Sequence, residues 1–454
     1  MGLAFGSILS PGTDKRKTAG MITVATACTA GLMMIGSRSA GLGMILLWGA
    51  FFLLRKGTVR WVAVLAIAAI IFIPNTLSYR VTEGYKADPH AFSRILIWRA
   101  ALEMGADHPL LGAGPDLFYD LAPVYAFPTV DLPVKFGRIA RKPHSEYLRA
   151  WAEGGAAGVV FLAVLLAAML RLMITGWSRG REGPVLACSV VLYQALFHDL
   201  TEVFGLTILM IWLAGQLAPD VYRQSSRRSR RPILMMSAAA LLVAIFALWM
   251  NLDLLSRTLW LKGQVAMSEE LPAARTLYER ALIINPVLPG AARELARVEL
   301  ITAAQKPGPR EWERAESRIV RARKLNLYDS VPLRLWAALY VDIAKVRKQN
   351  ARSALEVAAG KLREASELEP HNVLIMSSLS GVLWDLGRRS EAEKLIEKAL
   401  DEEPNYLEAH RTRIQYLSIT DPEAAQAATE ALEHARERVA GYRPYSSYEE
   451  TIIR

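Results

Sequence analysis

AEKLIEKALDEEP, residues 392–404, sets Ala392 and Ala399 seven residues apart with Ile396 between them, and closes on Pro404. Spacings of four and seven put these three side chains on one face of a helix, small residues marking where a neighbouring helix comes close. The register recurs upstream at Ala274/Tyr278/Ala281, Ala315/Ile319/Ala322 and Ala358/Leu362/Ala365. Pro286, Pro370 and Pro404 end the second helices, since proline cannot continue a helix, and Pro370 to Pro404 is 34 residues. Gly263 and Gly381 each stand 23 residues before their proline. Alanine steps of 41, 43 and 34 residues leave room for insertions, one of them holding KPGPREW at 306–312. DPEAAQAATEALEHARER, residues 421–438, reads as a further repeat or a cap, and residues 441–454, beginning GYRPYSSY, as an irregular tail.

Before residue 250 the pattern is different. Apolar runs near residues 20–36, 40–54, 61–74, 156–173, 184–199, 203–218 and 232–250 read as seven membrane spans, several short enough to need flanking residues. Residues 1–250 hold 24 Lys/Arg against 14 Asp/Glu, whereas residues 251–454 hold 30 of each. The whole excess of +10 therefore lies in the apolar half, which points to a membrane and away from nucleic acid. Clusters at Lys15–Lys17, Arg55–Arg60, Arg171–Arg181 and Arg223–Arg231 alternate as seven spans require, which puts those ends in the cytosol. The loop at 75–155 carries nine basic and nine acidic residues, so it is expected outside, with everything after residue 250. The chain divides accordingly into a transmembrane domain, 1–250, a helical repeat domain, 251–440, and the tail. With 52% apolar and 22% charged residues, general disorder is excluded. Cys28 and Cys188 lie in apolar runs and support neither a disulfide framework nor a thiolate site. The opening MGLAFGSILS lacks a signal-peptide pattern and reads as the tail of an earlier span.

Candidate chemistry sits at the outer ends of spans. Arg38, in GSRSAGLG (36–43), interrupts what would otherwise be one over-long apolar helix; it suits either an anion site or a span end that snorkels to headgroups. SRILIWRAALEM (93–104) carries Arg94 at an expected helix start, where backbone N–H groups favour anions, and Arg99 about 140° round the helix. HPLLGAGPDLF (108–118) is a Pro- and Gly-rich turn. In RIARKPHSEYLRAWAEGGAAG (138–158), Arg141 and Lys142 precede His144, the side chain best suited to take a proton near neutral pH. LFHDLTEVFGL (196–206) places His198, Asp199 and Glu202 in an outer turn, either as functional groups or as a wetted hairpin tip. Triad, HExxH and paired-cysteine motifs are absent from the sequence, and no metal or cofactor is expected.

The repeat resembles the tetratricopeptide repeat, whose period is 34 and whose stacked helices usually bind proteins. Between residues 20 and 220, GSRSAGLG, SRILIW, HPLLGAGPDLF, PHSEYLRAWAEGGAAG and LFHDLTE, in that order, resemble the O-antigen ligase and O-antigen polymerase superfamily of bacterial inner membranes. The resemblance implies an all-α, polytopic fold of C-type glycosyltransferase kind, with further spans before GSRSAGLG and, as in some members, a C-terminal repeat domain. It implies transfer or polymerisation of a glycan from an undecaprenyl-pyrophosphate donor to a hydroxyl on lipid, polysaccharide or protein, at the periplasmic face. Arg38 and Arg94 then match the pyrophosphate contacts, and His144 the activator of the acceptor hydroxyl. The family's histidine is usually followed by Asn; Ser145 follows here. Arg99, Arg141, Lys142, His198 and Asp199 are secondary candidates. The repeats would recruit protein partners. Two alternatives accompany this expectation: a membrane-anchored scaffold of a polysaccharide assembly complex without activity, and a protein O-oligosaccharyltransferase.

Overall fold

The computed structural model describes residues 15–35, 37–54, 57–73, 90–129, 132–137, 140–199, 204–217, 231–444 and 446–454. The opening decapeptide, the first part of the long loop, the basic residues at 55–56 and 223–230, and Glu202 lie outside them. Among the described residues the regular structure is all helical. The chain forms two compact units, one of residues 1–119 with 140–229, the other of residues 120–139 with 230–454.

The first unit contains α1 (Lys15–Ile35), α2 (Arg38–Leu54), α3 (Trp61–Phe72), α4 (His90–Asp107), α5 (Glu146–Ser178), α6 (Glu182–Gln194) and α7 (Phe204–Leu217). Trp48, Phe51 and Met44 of α2 pack with Ala25 and Met33 of α1 and Ala63 of α3, and Trp48 Nε1 donates to Thr29 Oγ1 at 3.0 Å. Val185 and Cys188 of α6 pack against Leu213 and Leu217 of α7. The helix α5 is the one described helix long and apolar enough to cross a membrane. Its Val160, Phe161, Val164 and Ile174 point outward and exposed, a surface suited to lipid. The expected span at 184–199 is shorter as a helix. It stops at Gln194, and residues 195–199 turn, which frees His198 and Asp199 from helical geometry.

Two glycine motifs, HPLLGAG (108–114) and EGGAAG (153–158), meet in this unit. Ala113 N and Gly114 N donate to Ala152 O and Glu153 O, while Ala156 N and Ala157 N donate to Pro109 O and Leu110 O. The four bonds bring the two backbones close enough that particular positions have no room for a side chain. Gly155 takes φ 56°, a break within α5, and a Cβ there would lie 2.5 Å from Gly112 N. A Cβ on Gly112, at φ 68°, would lie 2.2 Å from the Glu153 carbonyl carbon. Both positions therefore require glycine. This cross-brace fixes the loop after α4 against the first turns of α5, the helix that begins two residues after His144.

The second unit opens with α8 (Arg231–Ala266), one 36-residue helix whose apolar first half and repeat-forming second half are continuous. Its end pairs with α9 (Leu271–Ile284): Ser256 Oγ donates to Ala281 O at 2.9 Å, and Gly263 gives room to the Tyr278 ring. The following pairs are α10 (Pro289–Gln305) with α11 (Pro309–Leu325), α12 (Val331–Val346) with α13 (Ala351–Leu368), α14 (Val373–Asp385) with α15 (Arg389–Glu402), and α16 (Leu407–Thr420) with α17 (Pro422–Val439). Every residue of the four alanine registers, Ala274 through Ala399 with Tyr278, Ile319, Leu362 and Ile396, is buried. Residues 421–438 complete a helix pair. The expected irregular tail instead contains α18 (Ser447–Ile453): Ser446 caps it by accepting from Glu449 N, and Ile452 is fully buried in the core of the last pairs. Residues 132–137, part of the loop expected to belong with the transmembrane half, fold into this unit, with Val134 in its core.

Candidate functional site

Ser145 takes extended backbone, and its hydroxyl accepts from Leu148 N, capping α5. Immediately before it, His144 has φ 52°, a left-handed conformation uncommon for histidine and of the strained kind that gathers at functional sites. The strain is held by neighbours on α6. Glu146 N donates to Ala195 O at 2.9 Å and Tyr147 Oη to Leu192 O at 3.1 Å, so the start of α5 is tied to the end of α6 and its turn.

That turn delivers the partner. His144 Nδ1 lies 3.3 Å from Asp199 Oδ2; the Asp199 side chain is 5% exposed and that of His144 43%. The other carboxylate oxygen, Oδ1, is buried and has no hydrogen-bond partner among the described residues. A carboxylate behind Nδ1 fixes the ring and leaves Nε2 as the working nitrogen.

His198, beside Asp199, reaches the other way. Its Nε2 is 3.0 Å from Ser39 Oγ, which is 3.2 Å from Ser37 Oγ. Ser37 also accepts from Ala40 N at 3.4 Å and so caps the N-terminus of α2, where Arg38 is the first residue. Tyr193 Oη donates to Ser39 O at 3.2 Å, and Gly43 admits the Tyr193 ring at 3.2 Å from where a Cβ would stand. Arg38 is half-buried at this junction.

Arg94 completes the group. The helix α4 starts a turn earlier than expected, at His90 directly after Pro89, so Arg94 sits in the second turn, where its backbone N–H no longer belongs to an open helix end. Trp98, one turn further along the same face, packs on Phe197 with centroids 6.2 Å apart. Arg94 thereby faces the His198 turn. Burial, followed by the charge of Arg94, holds the pKa of His198, which lies beyond the end of α6, below its ordinary value, against the opposing pull of Asp199.

Four separated stretches thus converge: Arg38 with Ser39, Arg94, His144, and His198 with Asp199. The other candidates do not join them. Arg99, five positions after Arg94 on an unbroken helix, points to the exposed side of α4 and pairs with Glu103, four residues on, at 2.7 Å. Arg141 is exposed and Lys142 half-buried, both in the strand of chain leading to His144. Sequence reasoning passed over Ser39, which bridges the α2 terminus to His198, and Arg149, which binds Glu153 at 2.9 Å and lies in the field of Asp199. The only sequence signal for either was membership of a motif. Among the described residues no three His, Cys, Asp or Glu side chains gather at metal-ligand spacing.

Residues 22–163 match the model of the O-antigen ligase family. The matched segment carries Arg38, Arg94 and His144 and ties the chain to polysaccharide or O-antigen assembly. Among solved structures, a thermophilic TPR protein of Thermus thermophilus is 22% identical over 41% of this chain and 93% of its own, with a TM-score of 0.34. MamA from Desulfovibrio magneticus is 11% identical over 41% and 96%, with a TM-score of 0.32. PilF of Pseudomonas aeruginosa is 16% identical over 44% and 81%, with a TM-score of 0.32. No match is found among curated proteins.

Proposed function

We propose that the chain transfers or polymerises a glycan from an undecaprenyl-pyrophosphate donor to a hydroxyl acceptor at the periplasmic face of a bacterial inner membrane, with the apolar helices of its first half spanning that membrane and the repeats outside. The observation that carries this reading is the placement of the Asp199 carboxylate behind His144 Nδ1, in a cluster that also holds Arg94 and the capped N-terminus bearing Arg38.

Transfer breaks the anomeric C–O bond to a diphosphate and forms one to the acceptor oxygen. Negative charge grows on the departing diphosphate, and guanidinium groups answer it by short, charge-assisted hydrogen bonds. Arg38 and Arg94 take that role, aided at Arg38 by the α2 N–H groups. The diphosphate leaves without a proton, so one base suffices. Neutral His144, its proton held on Nδ1 toward Asp199, accepts the hydroxyl proton at Nε2 as the new bond forms, and Asp199 stabilises the resulting imidazolium. Attack opposite the diphosphate inverts the anomeric centre. The repeats recruit the acceptor or an assembly partner.

The test is transfer from an undecaprenyl-diphosphate-linked glycan in proteoliposomes. His144→Ala abolishes transfer while the protein remains inserted and folded. Full activity in that variant removes the mechanism, and a wild-type chain without any transfer favours the scaffold.

A further inference from the structure

The described part of the loop between the two halves of the first unit is not a bystander of the repeat domain. Residues 133–137, PVKFG, lie against it in the manner of a bound peptide. Lys135 N donates to Glu403 Oε2 at 2.8 Å and Phe136 N to Glu403 Oε1 at 2.6 Å, so one carboxylate reads two consecutive amides. Glu403 is fully buried, and burial raises its pKa against the lowering effect of these two amides. A buried carboxylate in a protein interior is costly without donors; here both donors come from the loop, not from the repeats. Asn405 Nδ2 donates to Pro133 O at 2.7 Å, and Arg438 Nε holds Asn405 in place from behind at 2.7 Å. The Phe136 ring stacks on His371 with centroids 4.6 Å apart and planes 2° from parallel. Val134 is buried in the repeat core, and Ser446 Oγ donates to Gly137 O at 3.3 Å. A Cβ on Gly137 would lie 2.4 Å from Glu449 Cγ, so any side chain there must displace the buried Glu449.

We propose that the last repeats form a receptor for an extended peptide of the pattern apolar–any–aromatic–glycine, that its resident ligand is the chain's own Val134–Gly137, and that this docking latches the segment that carries His144. The pattern follows from the contacts: a buried aliphatic pocket, a position whose side chain leaves along the surface, a stacking platform, and a wall that excludes a side chain. Six residues separate Gly137 from His144, so the latch limits how far the two can move apart. The proposal is independent of the transfer chemistry, and its test needs no substrate.

Hydrogen exchange on the full-length chain in detergent micelles provides that test. In the wild type, the amides of Lys135 and Phe136 exchange slowly, as bonded amides do. Gly137→Ala, a change on the ligand side that meets Glu449 of α18 and no residue of α13 or α15, speeds exchange of residues 133–137 at least tenfold. It also speeds exchange of residues 140–147, while α13 and α15 keep wild-type protection. Glu403→Ala gives the same result from the receptor side; should it lose protection throughout the repeats, Gly137→Ala decides. Fast exchange at 135–136 in the wild type, or unchanged exchange at 140–147 once the strap is released, overturns the proposal.

Discussion

Asp199→Asn isolates the contribution of the carboxylate behind His144. The substitution keeps shape and volume, removes the charge, and offers an amide that can turn its N–H₂ toward Nδ1 and reverse the ring's tautomer. At 3.3 Å an imidazolium and a carboxylate attract by about 5 kcal/mol at an effective dielectric of about 20. The His144 side chain is 43% exposed, and water screening reduces the effective contribution to about 2–3 kcal/mol. Because the imidazolium forms only as the acceptor loses its proton, that energy belongs to the transition state, and kcat falls by about 30- to 150-fold while donor KM changes little. Transfer kinetics in proteoliposomes, with folding checked by thermal unfolding, measure it. The two residues act as a unit, so Asp199→Asn on a His144→Ala background costs nothing further. A variant that keeps kcat within threefold of the wild type refutes the pairing.

Arg94→Gln lowers transfer by about 100-fold through loss of a charge-assisted contact; Arg99→Gln, on the exposed Glu103 pair, stays within about twofold, in keeping with the small worth of surface ion pairs. Gly155→Ala lowers the unfolding temperature and insertion yield, since φ 56° and a backbone contact at 2.5 Å leave no place for a methyl, whereas Gly154→Ala, with nothing within 4 Å, does not. In the repeats, burial first and then Arg413 and Arg438 hold the His410 pKa below 6.5; Nε2 donates to Pro404 O, and Nδ1 is buried with no hydrogen-bond partner among the described residues. A lowered folded pKa means the unfolded chain takes the proton first, so this histidine's contribution is present above about pH 6.5 and declines as pH falls toward the folded value. Thermal unfolding from pH 7.5 to 5.5 shows a smaller acid destabilisation in His410→Gln than in the wild type.

The alanine registers were legible because a single physical need, close helix approach on one face, repeats at a fixed spacing that local sequence records. The same holds for the glycines of HPLLGAG as turn formers; that they brace those of EGGAAG was not, since each motif carries half of a two-sided contact. His144 and Asp199 were visible as separate ionisable residues at span ends, but their pairing depends on α6 stopping at Gln194, and the apolar run continues past that point without a break signal. Arg94 reads as a helix start because SRILIWRAALEM opens the helical stretch, yet residues 90–93 extend the helix backward. The strap left no mark at all: PVKFG has no periodicity, and its amides meet a carboxylate 267 and 268 positions away.

The uninterrupted course of α8 bears on how load travels through the protein. Thirty-six helical residues make a rod about 54 Å long. Its far end is bolted to α9 through Ser256, and through Asp253 and Asn285 at 2.8 Å. A flexible tether would absorb a tug as slack. A rod without a joint passes it on as torque, so a partner that grips the first helix pair steers the apolar end of α8 like a tiller.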